Sequence, residues 1–347
     1  MSIYEISVSL FPRYLFKPFH IIWVTNIRNG YSSILASKRI FHMVTLKISY
    51  IHGFLLLSRL PFHIVGVLPF ILGTLLAIHD GYQMQTTVLG LGILGTVFIM
   101  LATYYSGEFF DQEEDTQSGK TEKSRFSGGS QAIQRGLVHP DHVIWAALIA
   151  LGIAGIIGII IWLGLGTGPL TIPLGALGMA GGFLYSAKPV RWVSRGLGEV
   201  WIAFCYGWLP VAAAYYLQSG TIPISVTSIS IPIACSIFAV ILMNEFPDYE
   251  VDKETGKRNL LVRLGPQRGA VLYAVACIGA VIAAGFLSIH IQSGFIYLIP
   301  AILLGILLSI LMLKGEWKSV SLREWLCGGT FLLNLGITGA FIAALCW

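Results

Sequence analysis

Residues 86–115 read TTVLGLGILGTVFIMLATYYSGEFFDQEED. An apolar run of about 20 residues is long enough to cross a hydrocarbon core of about 30 Å as a helix. Here such a run passes straight into Glu108, Asp111 and Asp115, so the stretch predicts a membrane helix that carries carboxylates at its end. The pattern occurs twice. Glu108-Phe109-Phe110-Asp111-Gln112-Glu113-Glu114-Asp115 is matched by Glu245-Phe246-Pro247-Asp248-Tyr249-Glu250-Val251-Asp252, each followed at the same offset by Gly119-Lys120 or Gly256-Lys257. The shared pattern is E-F-x-D-x-E-x-D-x-x-x-G-K, an internal repeat.

On a continuous helix the first Glu and the two Asp, at i, i+3 and i+7, share one face. Like charges this close repel and call for a cation. Hard divalent ions take oxygen ligands, and Mg²⁺ uses one or two protein carboxylates with water and phosphate oxygens in its other positions. Two such faces suggest a diphosphate held between them.

The rest of the chain agrees with a membrane setting. Of 347 residues, 55% are hydrophobic and only 11% are charged. Nine apolar runs separated by short polar breaks are expected to span, at roughly 54–78, 86–106, 142–164, 168–186, 197–217, 224–244, 268–289, 295–313 and 325–346. The fold class expected is an all-α polytopic bundle of about nine transmembrane helices.

A net charge of +5 would suit a nucleic-acid binder in a soluble protein, but the basic residues are placed otherwise. Apart from Arg59 they fall in the first fifty residues, in 107–141, 187–196, 245–268 and 314–324, while the breaks at 79–85, 165–167, 218–223 and 290–294 carry none. This is the positive-inside pattern. It predicts a multi-pass cell-membrane protein with a cytoplasmic N-terminus, cytoplasmic acidic loops and an outside C-terminus, and it implies no nucleic-acid partner. No pattern in the chain encodes its oligomeric state.

The five cysteines lie singly in apolar stretches and read as small buried hydrophobes rather than a disulfide or zinc framework. The eight histidines form no HxH or HxxxH pair. Residues 1–52 are expected to be a separate N-terminal extension, cytoplasmic or interfacial, with Met43 as an alternative translation start; residues 53–347 form the transmembrane domain. Arg59 and Pro61 stand in the first span, where an Arg either snorkels to the interface or faces protein, water or an anion. Gly119-Lys120-Thr121 is not a Walker A loop, because Glu114 occupies the position of the required Gly. The Gly/Ser-rich loop after it either supplies N–H groups to phosphate or is a solvated connection. Glu199, at the mouth of the fifth span, either serves an acceptor pocket or caps that span's helix.

With these residues in view, the chain over 53–347 resembles the UbiA-type intramembrane aromatic prenyltransferases. Their first motif, N-D-x-x-D-x-x-x-D, falls on Gly107, Glu108, Asp111 and Asp115, and their second, D-x-x-x-D, on Asp248 and Asp252. The family's Tyr/Lys element looks like Tyr185 and Lys188. Gly107 departs from the usual Asn, and Glu108 from the usual Asp. Phe126-Ser127-Gly128-Gly129-Ser130 and Asn244-Glu245-Phe246-Pro247-Asp248, with Gly256-Lys257-Arg258-Asn259-Leu260, are most similar to the 1,4-dihydroxy-2-naphthoate branch.

The resemblance implies transfer of a polyprenyl group from polyprenyl diphosphate to an aromatic acceptor within the lipid bilayer, in menaquinone biosynthesis if the branch holds. Glu108, Asp111, Asp115, Asp248 and Asp252 would hold Mg²⁺. Lys120, Lys188, Arg191, Lys257, Arg258 and Asn244 would bind the diphosphate, and Asp111, Asp115, Asp248, Asp252, Tyr185 and Lys188 would form the catalytic set. Alternative acceptors for the same chemistry are 4-hydroxybenzoate, haem, chlorophyllide or a glycerol-phosphate ether lipid. A transporter built on inverted repeats is a reading from another class.

Overall fold

The computed structural model describes residues 48–118, 126, 128–288 and 294–346. Contacts divide the chain into Met1–Ile48 and Ser49–Trp347, and the architecture is that of the second unit. The N-terminal extension up to residue 47, and the predicted ligand Lys120, lie outside the described residues.

The described chain is helical, with no strand among its described residues. The first apolar segment, Ile48–His79, is interrupted at Ser58 and Arg59 and continues as a tight turn, Leu60–His63, into α1, Ile64–His79. There follow α2 (Thr86–Phe110), the short α3 (Gln112–Ser118), α4 (Pro140–Ile159), α5 (Thr171–Ser186), α6 (Gly198–Ala203) and α7 (Leu209–Ser219). Then come α8 (Ile224–Glu245), the short α9 (Tyr249–Glu254) and α10 (Leu260–Leu264), and α11 (Pro266–Ser288), α12 (Gly294–Leu313) and α13 (Val320–Cys346).

Eight helical segments among the described residues are long and apolar enough to cross a membrane. The remaining stretch expected to span, 168–186, forms α5, a helix of 16 residues. At 1.5 Å per residue it rises about 24 Å, short of the roughly 30 Å core. Gly166 and Gly168, at φ 66° and 101°, turn the chain in the left-handed region and delay its start.

α2 packs on α4, α1 on α7, α11 on both α8 and α12, and α13 on α12, α8 and α1. The last helix thereby closes the bundle against the first. The main apolar core runs through Leu72, Val211, Ile233, Leu242, Tyr273, Leu308, Leu333 and Phe341, all almost fully buried. Close helix approach rests on glycine at a few points: a Cβ on Gly73 would strike the Val211 backbone and one on Gly207 the Ala234 backbone. Polar contacts cross between helices in this interior, as where Asn334 Nδ2 donates to Ser236 Oγ at 2.9 Å.

Candidate active site

α2 and α8 each run into an acidic break of the same shape. Asp111 closes α2 at φ −100°, ψ 22°, and Asp248 opens α9 at φ −95°, ψ 1°. Both fall in the sparsely populated bridge region. The sequence repeat is therefore also a backbone repeat. It corrects the expectation of one continuous helical face, because Asp115 and Asp252 ride on the separate short helices α3 and α9. In the first copy Gln112 Nε2 donates to the freed Phe109 carbonyl at 2.7 Å. In the second, Pro247 has no N–H to continue the helix.

The two breaks face one cavity of about 270 Å³. Glu108, Asp111, Asp115, Asp248 and Asp252 all line it, with Asn244, Glu245, Tyr185 and Lys257. Among the described residues four of these five acids, all but Asp115, accept hydrogen bonds from side chains or backbone around the cavity. Glu108, 2% exposed, accepts from Arg59 Nη2 at 2.9 Å, from Ser130 N at 2.6 Å and from Ser130 Oγ at 2.9 Å. Asp111 accepts from Ser186 Oγ at 2.8 Å and Arg191 Nη2 at 3.2 Å, and the same Arg191 nitrogen binds Glu114. Asp248 accepts from Ser118 Oγ at 2.8 Å and Gly128 N at 3.0 Å. Asp252 accepts from Asn259 Nδ2 at 2.7 Å and pairs with Lys257 Nζ at 3.3 Å.

Three non-glycine residues take positive φ among the described residues: Arg59 at 44°, Gln131 at 62° and Arg191 at 44°. All three serve the first acidic break. Arg59 reaches Glu108, Arg191 reaches Asp111 and Glu114, and Gln131 Nε2 donates to the carbonyls of Asp115 and Gly128 at 2.6 and 2.8 Å. Such conformations cost of order 1–3 kcal/mol each and persist where the surroundings enforce them, commonly at functional sites.

The electrostatics favour a cation. Among the described residues seven acidic side chains line the cavity (Glu108, Asp111, Glu114, Asp115, Glu245, Asp248 and Asp252) against two cations, Arg59 and Lys257. Among the described residues the Asp115 carboxylate receives no hydrogen bond, and burial, then the nearby Glu108, push its pKa up to about 8. Burial likewise raises Asp252 to about 6 despite Lys257. Lys257 stays charged: burial opposes its charge, but Asp252 and Asp111 outweigh burial and lift its pKa above the ordinary lysine value. Among the described residues no three acidic, His or Cys side chains cluster tightly enough to hold an ion alone. That matches Mg²⁺, which takes one or two carboxylates and fills its shell with water and phosphate. The donor set and its surplus of negative charge fit such an ion.

Two predicted cations stand elsewhere. Lys188 and Arg258 are exposed and do not line the cavity. Arg191 approaches from behind Asp111 rather than as a cavity wall. Ser118, Ser186 and Gln131 were missed by sequence reasoning, and Ser130 and Asn259 entered it only as members of quoted motifs, with no role. They are neutral residues common in any loop, and only their meeting with the acids in space reveals them. Glu199 does not cap the helix it stands in: its Oε1 accepts from Leu260 N at 2.6 Å, at the start of α10.

Comparison with known proteins gives consistent results. Residues 66–343 match the UbiA prenyltransferase family. The chain is 32% identical over 215 residues to a 1,4-dihydroxy-2-naphthoate octaprenyltransferase of Bacillus subtilis, covering 60% of this chain and 64% of that enzyme, just under two thirds of its length. It is 26% identical over 282 residues to the UbiA prenyltransferase domain-containing protein 1 of Dictyostelium discoideum, covering 80% and 82% of the two chains. A UbiA homolog from Archaeoglobus fulgidus, solved bound to GPP and Mg²⁺, shares the fold with a TM-score of 0.60 at 16% identity, over 85% of this chain and 100% of that one.

Proposed function

The chain belongs to the UbiA prenyltransferase family, and on that premise we propose that it transfers a polyprenyl group from its diphosphate to 1,4-dihydroxy-2-naphthoate. The observation that carries this reading is the pair of acidic breaks, alike in sequence and backbone, facing one cavity. Support for the acceptor comes from the Bacillus relative, whose name specifies that substrate. The acidic breaks lie at the ends of α2 and α8, not midway along them, which weighs against a transporter.

Glu108, Asp111, Asp115, Asp248 and Asp252 would hold Mg²⁺, one or two carboxylates to an ion, and the metal would neutralise diphosphate oxygens and so ease departure of the leaving group. Lys257, and Arg59 and Arg191 from behind the acids, add fixed positive charge on the same side. The allylic C–O bond breaks with its electron pair leaving on the diphosphate. Tyr185, with Phe62, Tyr104, Tyr206 and Phe331, lines the cavity and presents aromatic faces to the resulting allylic cation. Burial among these rings keeps water from it. The acceptor ring carbon then bonds to the prenyl carbon, and loss of the carboxylate as CO₂ restores aromaticity. Lys188 and Arg258, on the exposed rim, and Lys120 would guide the anionic donor inward. Since the connections that bear cations surround this end of the bundle, the positive-inside pattern would place the site on the cytoplasmic side of a cell membrane.

The test is transfer by purified protein from radiolabelled polyprenyl diphosphate to 1,4-dihydroxy-2-naphthoate, with Mg²⁺ and with EDTA. Prenylated product only with Mg²⁺ is expected. Product on a different acceptor alone would move the assignment to that acceptor, and no product on any acceptor would overturn the proposed activity.

A further inference from the structure

A second cavity, of about 130 Å³, lies deeper in the bundle among α1, α2, α4, α5 and α7. It shares two walls, Thr103 and Tyr206, with the acidic cavity. Tyr206 sits in a π-helical turn, Phe204–Trp208, a local widening frequent at functional sites. Its phenol lies near that of Tyr104, which lines the acidic cavity, so Tyr206 stands between the two cavities.

The lining is apolar in effect. The hydroxyls of Thr96 and Thr103 donate to the carbonyls of Gly92 and Ile99 at 2.9 Å each, and that of Thr171 is bonded to Thr167 at 2.7 Å. What these residues offer the cavity is methyl surface. The glycines of the lining fall into two kinds. At Gly66, Gly92 and Gly182 a Cβ would strike Met100, Phe70 or Thr103, so these serve helix contact. At Gly175 a Cβ would meet nothing within 4 Å, and at Gly178 its nearest neighbour would be Ile99 at 3.5 Å. Here the missing side chain is the cavity itself. An apolar cavity of about 150 Å³ in another protein stays dry and takes up benzene, so this one has room for a five-carbon isoprene unit.

We propose that this glycine-lined chamber receives distal isoprene units of the donor, with Tyr206 and Thr103 as its threshold, and that it favours long donors over short ones. The proposal rests on the prenyl-transfer reading above. Its competitor is a tail that leaves toward lipid past Phe62 and Phe331, which stack edge to face at 5.4 Å on the wall formed by the first segment and α13.

Gly175→Leu and Gly178→Leu fill the chamber from α5, while Gly152→Leu, on an exposed face of α4 with nothing within 4 Å of its Cβ, is the control. Transfer from octaprenyl and from geranyl diphosphate is measured for each full-length protein. We expect the octaprenyl-to-geranyl ratio of kcat/KM to fall about tenfold or more in the α5 variants, through lost burial of the tail, with geranyl transfer and the control unchanged. An unchanged ratio would overturn the proposal. In parallel, an octaprenyl diphosphate analogue bearing a diazirine partway along its tail is photolysed on the wild-type protein, whether or not transfer is seen. Label on peptides of α4 and α5 supports the chamber even if the acceptor chemistry fails. Label confined to the peptides of Phe62 and Phe331, or no label at all, overturns it.

Discussion

Ser118 Oγ donates to Asp248 Oδ1 at 2.8 Å, joining the end of α3 to the start of α9 across 130 residues of sequence. Gly128 N binds the other oxygen of the same carboxylate at 3.0 Å. The two acidic breaks are thus one structure, and Asp248 serves both as a proposed metal ligand and as the latch between them. Asp248→Ala is expected to lose on the order of a hundredfold or more in turnover, while Ser118→Ala, which removes a supporting partner only, loses about tenfold. Equal activity in Asp248→Ala and wild type, with the variant inserted in membranes, would remove Asp248 from the site.

Gly129 and Gly136 both lie at positive φ, 67° and 68°. Alanine at either carries the same local cost of about 1–2 kcal/mol for the left-handed conformation. Only at Gly129 would the added Cβ also run into the Asp115 carboxylate; at Gly136 there is nothing within 4 Å. Gly129→Ala should therefore lose Mg²⁺-dependent activity, and Gly136→Ala should show only a small drop in thermal stability. Comparable activities in the two variants would show that Asp115 does not need its present position.

The raised pKa values of Asp115, about 8, and Asp252, about 6, give the ligand-free site a definite pH response. For each, the folded state holds its proton more tightly than the unfolded state, where an aspartate titrates at its ordinary value of 3.8. Stability of the ligand-free fold therefore falls as pH rises through these windows. A divalent ion needs both carboxylates deprotonated, so its binding should release protons and tighten between about pH 6 and pH 8. Titration calorimetry of Mg²⁺ with diphosphate, in buffers of different ionisation enthalpy, measures that release. Heats independent of the buffer would contradict it.

Much of the fold and site was legible because some signals repeat. Apolar length announced about nine spans, of which eight are helices long and apolar enough to cross a membrane among the described residues, and the identity of two distant acidic stretches announced the candidate site. The expectation of a continuous acidic face failed because i, i+3 and i+7 spacing assumes an unbroken helix, and Asp111 and Asp248 instead occupy the bridge region. Arg59 could not be decided from sequence, since snorkelling and ion pairing demand the same residue; the 2.9 Å bond to Glu108 decides it. Lys188 drew attention by its spacing from Tyr185, yet the turn after α5 leaves it exposed. Ser118, Ser186 and Gln131 carry no periodicity and no charge, so nothing in the chain marked them, while Ser130 and Asn259 stood in quoted motifs that did not say which acid each would meet.

Lys257 and Lys188 separate the geometry from the sequence pattern. Lys257 is half-buried against Asp252 and lines the cavity, whereas Lys188 lies outside it. Lys257→Met should lose at least about a hundredfold in kcat/KM for the donor, because a buried carboxylate loses its counter-charge and the leaving group loses a stabilising cation. Lys188→Met should cost less than about tenfold, and that loss should shrink further with added salt, as expected for a screened rim charge. The reverse order of effects would return Lys188 to the catalytic set.

Glu199 tests how the cavity is held in shape. It is 1% exposed, its Oε1 accepts from Leu260 N at 2.6 Å, and Glu245 accepts from the neighbouring Leu261 N at 3.3 Å. Together they pin the start of α10, and so the segment carrying Lys257 and Asn259. Glu199→Gln keeps an acceptor oxygen for Leu260 and should behave nearly as wild type. Glu199→Leu leaves that buried N–H without a partner, a loss of about 1–3 kcal/mol, and frees the segment to move. The expected signature is a rise in KM for the diphosphate donor of about fivefold or more, with KM for the aromatic acceptor little changed. A general loss of fold would instead lower yield and damage both constants together. Rescue by Gln and not by Leu, confined to the donor, is the result that identifies Glu199 as a positioning residue; equal behaviour of the two variants would show that the contact with Leu260 does not position the donor site.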